Sequence, residues 1–330
     1  MSYSQGGLIQ ASDYNGFVGS NNTTSGTLNY VWSTGNGSYG YGQTGLAAVS
    51  QSGLVTATQW ASLINTMNSI GLHQSNTGTG LSVPTSGTLI SYLSAVSGDI
   101  STYNTNHLNA YTTGTKVTQS TVTPSTWVVS NAAAAQTQTY TRTITFANGD
   151  AARYFFNAGG SINFVIATAS TADTGGTGGR SQDLVTLLNT NFGSLTGFNA
   201  TSSGTRSGTG GTLTSTYSSG YYGLTTSPQT ILQVTSGTSG YTNDYVSIAV
   251  SSNGTQGSNG DKGSVLTFTL TIYSAARTDG VANPNNGGSP VGSGSNYFND
   301  DINLTTPNHL DYTPPETTNL SNTWGTITVA

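Results

Sequence analysis

Apolar residues alternate with threonine over several stretches beyond residue 126, and this period of two constrains the fold more than any other sequence feature. In the clearest run, four apolar residues alternate with three threonines. The apolar residues are Leu266, Phe268, Leu270 and Ile272, and the threonines are Thr267, Thr269 and Thr271. Alternation places each set on its own face of a β-strand, and threonine favours strands while it keeps the outer face polar. Similar runs occur over 139–146, 162–166 and 246–250. Because glycine- and asparagine-rich turns separate them, they predict an antiparallel β-sandwich.

Residues before about 125 follow a helical period instead. After Thr56, the predicted N-cap, the apolar residues that fall on one helical face are Trp60, Leu63, Ile64, Met67 and Ile70. Gly71 is the predicted end of this helix, and a second helix is predicted over about 88–108. An apolar stripe packs either on a second helix or on a neighbouring subunit, so we treat the first helix as a candidate docking helix.

These two patterns divide the chain. Residues 1–125 are predicted to form a smaller N-terminal docking region of helices and loops, and residues 126–330 a β-sandwich domain. One helix is expected as an insertion in the sandwich domain, over 181–189. The predicted fold class is therefore mainly β, with an antiparallel sandwich, one inserted helix and a helix-containing N-terminal region.

The composition indicates a folded chain with an uncharged polar surface. Only 6% of the residues are charged, against roughly 25% in typical soluble domains. Hydrophobic residues still make up 34% and aromatic residues 9%, whereas disordered chains are poor in aromatics and rich in charge. Neutral polar surfaces pack together without the desolvation penalty of buried ions. This composition suits a subunit of an assembly, and it also suits a secreted surface protein.

Several classes of function are disfavoured by what the sequence lacks. The 7 basic residues are scattered singly, so nucleic-acid binding through phosphate neutralisation is not expected. There is no cysteine for thiol or cysteine–metal chemistry, and no stretch approaches the roughly 20 apolar residues that span a bilayer. The first residues lack the pattern of a signal peptide. An extracellular composition without a secretion signal predicts either a particle component that lysis releases or a chain from which a leading segment has been trimmed.

Residues 147–160 carry the most distinctive motif of the sequence. Asn148-Gly149 is a strong signal for a tight turn, Tyr154 is the predicted start of a strand, and a second turn follows. The predicted structural hairpin comprises Asn148, Gly149, Asp150, Arg153, Tyr154, Phe155, Phe156, Asn157, Gly159 and Gly160. Arg153 is expected to pair with Asp150 across the turn, and contact with another subunit is the alternative role.

The motif Arg-Tyr-Phe-Phe-Asn-x-Gly-Gly resembles a hairpin of a recurrent type of tailed-phage virion protein, common among phages of cyanobacteria. Residues 32–43, 181–192, 221–225 and 242–245 are also similar to segments of these proteins. The resemblance implies a virion structural role in the tail, neck or fibre apparatus, with further copies of the chain and other virion proteins as partners. It implies assembly in the host cytoplasm and release by lysis. It carries over no catalytic residue and no cofactor.

Candidate catalytic groups are sparse, and no enzymatic activity is expected. Residues 35–40 match G-x-G-x-x-G, but no helix opens at the motif, so a structural loop is favoured over a dinucleotide site. Glycoside cleavage usually needs two carboxylates, and Glu316 is the one glutamate in the chain. A Ser–His–Asp site, or a metal held by His73 and His107, requires proximity that the sequence does not reveal.

A calcium site is the remaining metal hypothesis. The carboxylates of Asp300, Asp301 and Asp311 are candidate ligands, although their spacing is not that of an EF-hand loop. Two alternatives to the virion role also remain open. The 18 tyrosines suit the glycan-binding surface of a tail adhesin, and the composition suits a secreted bacterial filament or surface-layer protein.

Overall fold

The computed structural model describes residues 10–19, 24–87, 93–130, 134–172, 179–216, 219–238, 241–276 and 301–330. Within these ranges the N-terminal region contains four helices: α1 (Ala11–Val18), α2 (Leu28–Trp32), α3 (Ala57–Ser75) and α4 (Leu93–Thr105). The second predicted helix thus corresponds to α4, and its first predicted residues lie outside the described ranges.

Helix α3 begins where the sequence predicts and ends later. The Thr56 hydroxyl accepts from the Gln59 N–H, and the Gln59 side chain accepts from the Thr56 N–H, which forms a capping box. The predicted stop at Gly71 is wrong. Gly71 lies inside the helix, where a Cβ would come within 2.4 Å of the Thr77 carbonyl oxygen. Asn76, in the left-handed conformation, caps the helix instead.

The apolar stripe of α3 packs inside its own chain. Trp60, Leu63, Ile64, Met67 and Ile70 are each at most 1% exposed. The Trp60 ring makes edge contacts with the rings of Tyr14 and Phe17 on α1, with centroids 6.0 and 6.1 Å apart. The prediction of a docking helix is therefore wrong, because an apolar stripe does not specify its partner and the chain's other helices cover this one.

The described residues form thirteen strands in three antiparallel sheets. The strands are β1 (Trp127–Val129), β2 (Gln136–Thr145), β3 (Ser161–Ile166), β4 (Ser170–Thr171), β5 (Leu195–Phe198), β6 (Thr205–Arg206), β7 (Thr212–Thr216), β8 (Gln229–Thr235), β9 (Tyr245–Ser252), β10 (Val265–Ser274), β11 (Ile302–Thr305), β12 (Asn308–Thr313) and β13 (Thr328–Val329). The sheets have the orders β13-β2-β10-β9-β8-β7, β12-β3-β5-β6 and β1-β11-β4.

The threonine alternation forms the centre of the six-stranded sheet. Strand β10 pairs with β2 and β9, so that Thr269 lies opposite Thr141 on one side and Ala249 on the other. Its alternate residues Leu266, Phe268, Leu270 and Ile272 are fully buried, while the threonines between them are half-buried. The prediction of strands with a polar outer face is confirmed.

The inner faces of the two larger sheets meet in a sandwich-like arrangement. Phe198 of β5 and Phe268 of β10 contact edge to face, with ring centroids 5.5 Å apart. The predicted inserted helix is present as α6 (Arg180–Thr186), which continues as a π-helical turn over Leu187–Phe192. A mainly β fold with some helices is therefore confirmed.

The predicted hairpin at residues 147–160 is wrong, because the segment is helix α5 (Gly149–Asn157). The Asn148 side chain accepts from the Ala151 N–H at 2.8 Å and so acts as an N-cap rather than a turn residue. A Cβ on Gly149 would lie 2.0 Å from the Asp261 carbonyl oxygen, so close packing requires glycine here. The second turn is confirmed, since Gly159 has a φ of 87° and leads into β3.

Contacts join the N-terminal region to the sheets. Residues 113–122 run beside β12, and single bridges pair Thr113 with Pro315 and Val122 with Asn308. Buried side chains of both regions belong to one hydrophobic core. The boundary near residue 125 stays a prediction.

Candidate functional site

Arg153 of α5 is the centre of an extensive polar network among the described residues. Its side chain is 1% exposed, and it donates to the carbonyl oxygens of Thr34 and Tyr39, each at 2.7 Å. It also pairs with Asp150 at 3.1 Å, which confirms the predicted pair, although the two residues lie on one helical turn. The guanidinium stacks over the Tyr154 ring at 4.9 Å.

Asn157 and Tyr222 complete this network. The Asn157 side-chain amide donates to the carbonyl oxygens of Tyr39 and Gly40 at 3.0 and 3.1 Å. The Tyr222 hydroxyl donates to the Gly37 carbonyl oxygen and to the Asn157 side chain, and burial raises its pKa. The carbonyl groups of the G-x-G-x-x-G segment therefore hold it against α5. This agrees with the expectation of a structural loop.

A second buried arginine fastens α6 to the end of β10. Arg180 is fully buried and donates to the Ser274 hydroxyl at 2.6 Å and to the carbonyl oxygens of Ser274 and Ala275. Asp244, also fully buried, accepts from the same hydroxyl and from the Ala275 N–H, both at 2.8 Å. Arg180 and Asp244 therefore bind backbone groups and help to hold α6 against the end of β10.

His73 and Glu316 form a buried pair between α3 and the C-terminal segment. His73 Nδ1 lies 3.1 Å from Glu316 Oε1, and the other carboxylate oxygen accepts from the Thr318 and Asn319 N–H groups at 2.6 and 2.9 Å. Burial lowers the pKa of His73. Burial alone would raise the pKa of Glu316, but these hydrogen bonds outweigh it and lower that pKa. A carboxylate held ionised in a turn is poorly suited to act as a general acid.

His107 and Asp311 each bind groups of their own chain. His107 contacts the Asn104 carbonyl oxygen at 2.7 Å through Nδ1 and the Ser38 hydroxyl at 3.0 Å through Nε2. Asp311 pairs with Lys116 at 2.7 Å and accepts from the Gln119 N–H at 2.9 Å.

Asp300 lies outside the described residues. Within the described ranges, which include Asp301 and Asp311, no three histidine or acidic side chains come together as metal ligands. The structure therefore gives the calcium hypothesis no ligand set, because Asp311 is held by its own chain.

A cleft of about 360 Å³ lies between α1 and α4. Its lining carries no charged side chain and consists of Gly16, Phe17, Ser25, Gly26, Tyr39, Ser97, Ile100, Ser101, Asn104 and Thr105. The rings of Tyr30 and His107 pack on the Tyr39 ring, with centroids at 4.5 and 3.7 Å. These contacts engage the Tyr39 ring within the chain, and the polar groups that line the cleft are hydroxyl and amide groups.

At one edge of the six-stranded sheet, strand β2 has no described strand beside most of its length. Strand β2 pairs with β10 over all its residues. On its other side, the described residues that pair with it belong to β13 and to Ala330, which exchanges two backbone hydrogen bonds with Thr143. No described strand pairs with this side over residues 136–142. The backbone groups that face this side therefore form no ladder with any described strand.

The backbone groups on this edge belong to three exposed threonines. Hydrogen-bonding direction alternates along an antiparallel strand, so Thr137, Thr139 and Thr141 face the same way as Thr143. Two of their carbonyl oxygens accept only from side chains of β2 itself among the described residues: Arg142 donates to Thr141 at 2.9 Å and Gln138 to Thr139 at 3.4 Å. We name residues 136–141 the β2 edge.

The described residues of the predicted hairpin and docking helix thus make contacts within their own chain, and the β2 edge was not predicted. Sequence reasoning identified β2 as a strand but not as an edge. A usable signal exists, since residues 136–141 contain none of the proline, lysine or acidic residues that commonly protect edge strands.

Comparisons of the chain with models of known protein families, with curated proteins and with solved structures found no match. No helix within the described ranges combines the length and apolar character needed to cross a bilayer. A function for this chain therefore has to be argued from its own residues.

Proposed function

We propose that this chain is a non-enzymatic structural subunit of a tailed-phage virion, in the tail, neck or fibre apparatus. It acts by assembly, with further copies of itself and with other virion proteins as partners. It assembles in the host cytoplasm and leaves by lysis. No nucleic acid, membrane or cofactor takes part in this role.

The observation that carries the proposal is the β2 edge, where no described strand pairs and where residues 136–141 carry no charged side chain of their own. An edge strand is a template for another chain, and monomeric proteins commonly block it with charge, proline or a bulge. Residues 136–141 pair with β10 in unbroken register and carry only threonine, glutamine and tyrosine side chains. A subunit that adds strands within a particle would retain such an edge.

The buried ionisable groups also support an assembly role over catalysis. Arg153, Arg180 and Asp244 bind backbone groups of distant segments, and His73 pairs with Glu316 across 243 residues of sequence. These contacts stabilise the fold, and none of these residues lines the cleft between α1 and α4. The resemblance of the motif at residues 147–160 to tailed-phage virion proteins supports a phage virion as the particle in which the chain assembles.

Mass spectrometry of particles provides the test. Virions banded on a density gradient from a lysed source culture are expected to contain many copies of this chain per particle. Its absence from every particle band, together with its presence on intact cells before lysis, would refute the proposal. That second result would favour the secreted filament or surface-layer alternative.

Immunogold labelling of the same particles separates the adhesin alternative. A structural subunit is expected along the tail, at the neck or within fibres, and free sugars should leave particle adsorption to the host unchanged. Labelling confined to the distal tip, with adsorption blocked by a host glycan, would instead identify a glycan-binding adhesin.

A further inference from the structure

We propose that the β2 edge pairs with the β2 edge of a second copy of this chain, antiparallel and about a two-fold axis at Thr139. The proposal rests on the assembly function above and names its partner. Thr139 then lies opposite Thr139 of the second copy, and Thr137 lies opposite Thr141. Each facing pair exchanges two N–H···O=C bonds, about six in all. The two six-stranded sheets become one continuous sheet.

The side chains of the edge fit this register. Thr137, Thr139 and Thr141 are exposed and share the outer face, so the pairing sets threonine opposite threonine, a favourable cross-strand combination. Arg142 is the one charged residue of β2, and in this register it lies opposite Gln136 of the second copy. No like charges meet across the axis, and the side chains of Gln138 and Arg142 release the edge carbonyl oxygens as the new strand binds.

The opposite edge of the sheet is a poorer partner, which favours a closed dimer over a growing filament. Strand β7 pairs with β8 with a register shift between Leu213 and Ser215. Such a bulge twists an edge and interrupts its ladder, which is one way in which proteins protect an edge. Head-to-tail addition of β2 to β7 would need two regular edges. Pairing of β2 with itself needs only one and closes after two copies.

The contact is small, so the isolated dimer is weak. Strand β13 limits the pairing to residues 137–141, because Ala330 already occupies the position beside Thr143. Five residues on each side bury far less than the roughly 1,200 Å² of stable interfaces. Within a particle, additional contacts raise the local concentration and the strand pairing becomes persistent. Disulfide cross-linking, which retains weakly paired copies as a covalent dimer, is therefore the appropriate assay.

The chain contains no cysteine, so a single introduced thiol reports one contact. Facing residues of a hydrogen-bonded antiparallel pair have Cα atoms about 5.5 Å apart, within the range that a disulfide bridges. Thr139→Cys is expected to give a disulfide-linked dimer under mild oxidation. Thr214→Cys, which places a thiol at an exposed position on β7, is the matched control and should stay monomeric. Circular dichroism verifies that both variants are folded.

A second substitution tests the backbone bonds themselves. Thr141→Pro removes an N–H that faces away from β10, so the existing sheet keeps its hydrogen bonds. Added to Thr139→Cys, it is expected to lower the initial rate of dimer cross-linking at least tenfold. An unchanged rate in a folded double variant would overturn the proposed strand pairing.

The remaining outcomes also decide the matter. Equal cross-linking of Thr139→Cys and Thr214→Cys means random collision and overturns the proposal. Higher multimers from a variant with both cysteines mean head-to-tail addition and overturn the two-fold register. If Thr139→Cys stays monomeric while particles contain the chain in many copies, the β2 pairing is refuted and the structural function stands. Absence from particles refutes the function independently.

Discussion

Arg153→Met removes the guanidinium that holds the loop of residues 34–40 against α5, while it keeps much of the aliphatic volume. Two of its hydrogen bonds, to the carbonyl oxygens of Thr34 and Tyr39, are 2.7 Å long, and the donating side chain is 1% exposed. A hydrogen bond from a charged donor contributes about 1.5–3 kcal/mol. The Tyr39 oxygen keeps a bond from Asn157, whereas the Thr34 oxygen loses a charged donor. We therefore expect a loss of about 3–5 kcal/mol in the free energy of unfolding.

Urea denaturation followed by tryptophan fluorescence measures this loss. Arg153→Lys is the matched variant, because it keeps the charge but has no planar fork to reach two carbonyl oxygens, and it should lose nearly as much stability. Lys262→Met, at an exposed position, controls for the loss of one positive charge. A change below about 1 kcal/mol for Arg153→Met, with an unchanged m-value, would refute the role assigned to this network.

Two further perturbations test other parts of the fold. The free energy of unfolding is expected to fall as the pH drops below 6.5, and to fall further below pH 4.5. The folded chain holds the pKa values of His73 and Glu316 below these ordinary values, so the unfolded chain binds the protons first. Between pH 6.5 and 4.5, His73→Gln should lose less stability than the unsubstituted chain. Equal losses in melting temperatures measured over this pH range would contradict the role assigned to His73. Gly42→Ala should cost about 2–4 kcal/mol, since its φ is 72° and a Cβ would lie 2.4 Å from the Tyr154 ring. Gly80→Ala, with a φ of 68° and open space, should cost less in the same urea assay.

The elements that the sequence predicts well are those with local signals. The threonine alternation of β10 and the capping box of α3 need only neighbouring residues, and both are present in the structure. The α5 segment was misassigned because Asn148-Gly149 is compatible with a tight turn and with a helix start. A helical signal was present: Ala151, Phe155 and Phe156 recur at helical spacing and are buried together.

The candidate site could not be predicted from local signals. The contact of Arg153 with the Thr34 carbonyl oxygen spans 119 residues, and that of His73 with Glu316 spans 243. Sequence patterns also show that a stripe is apolar without showing what covers it, which is why the α3 stripe was assigned to docking. Whether a strand such as β2 lies at an edge depends on the order of all its neighbours in the sheet.

The position of the carboxyl terminus has a practical consequence for anyone who labels or purifies this chain. Ala330 is hydrogen-bonded beside Thr143, so residues fused after it emerge next to Arg142 and run antiparallel along β2. Such a tag would have a high effective concentration beside the backbone groups with which a second copy would pair. A purification handle fused after Ala330 would therefore compete with the second copy that we propose for the β2 edge.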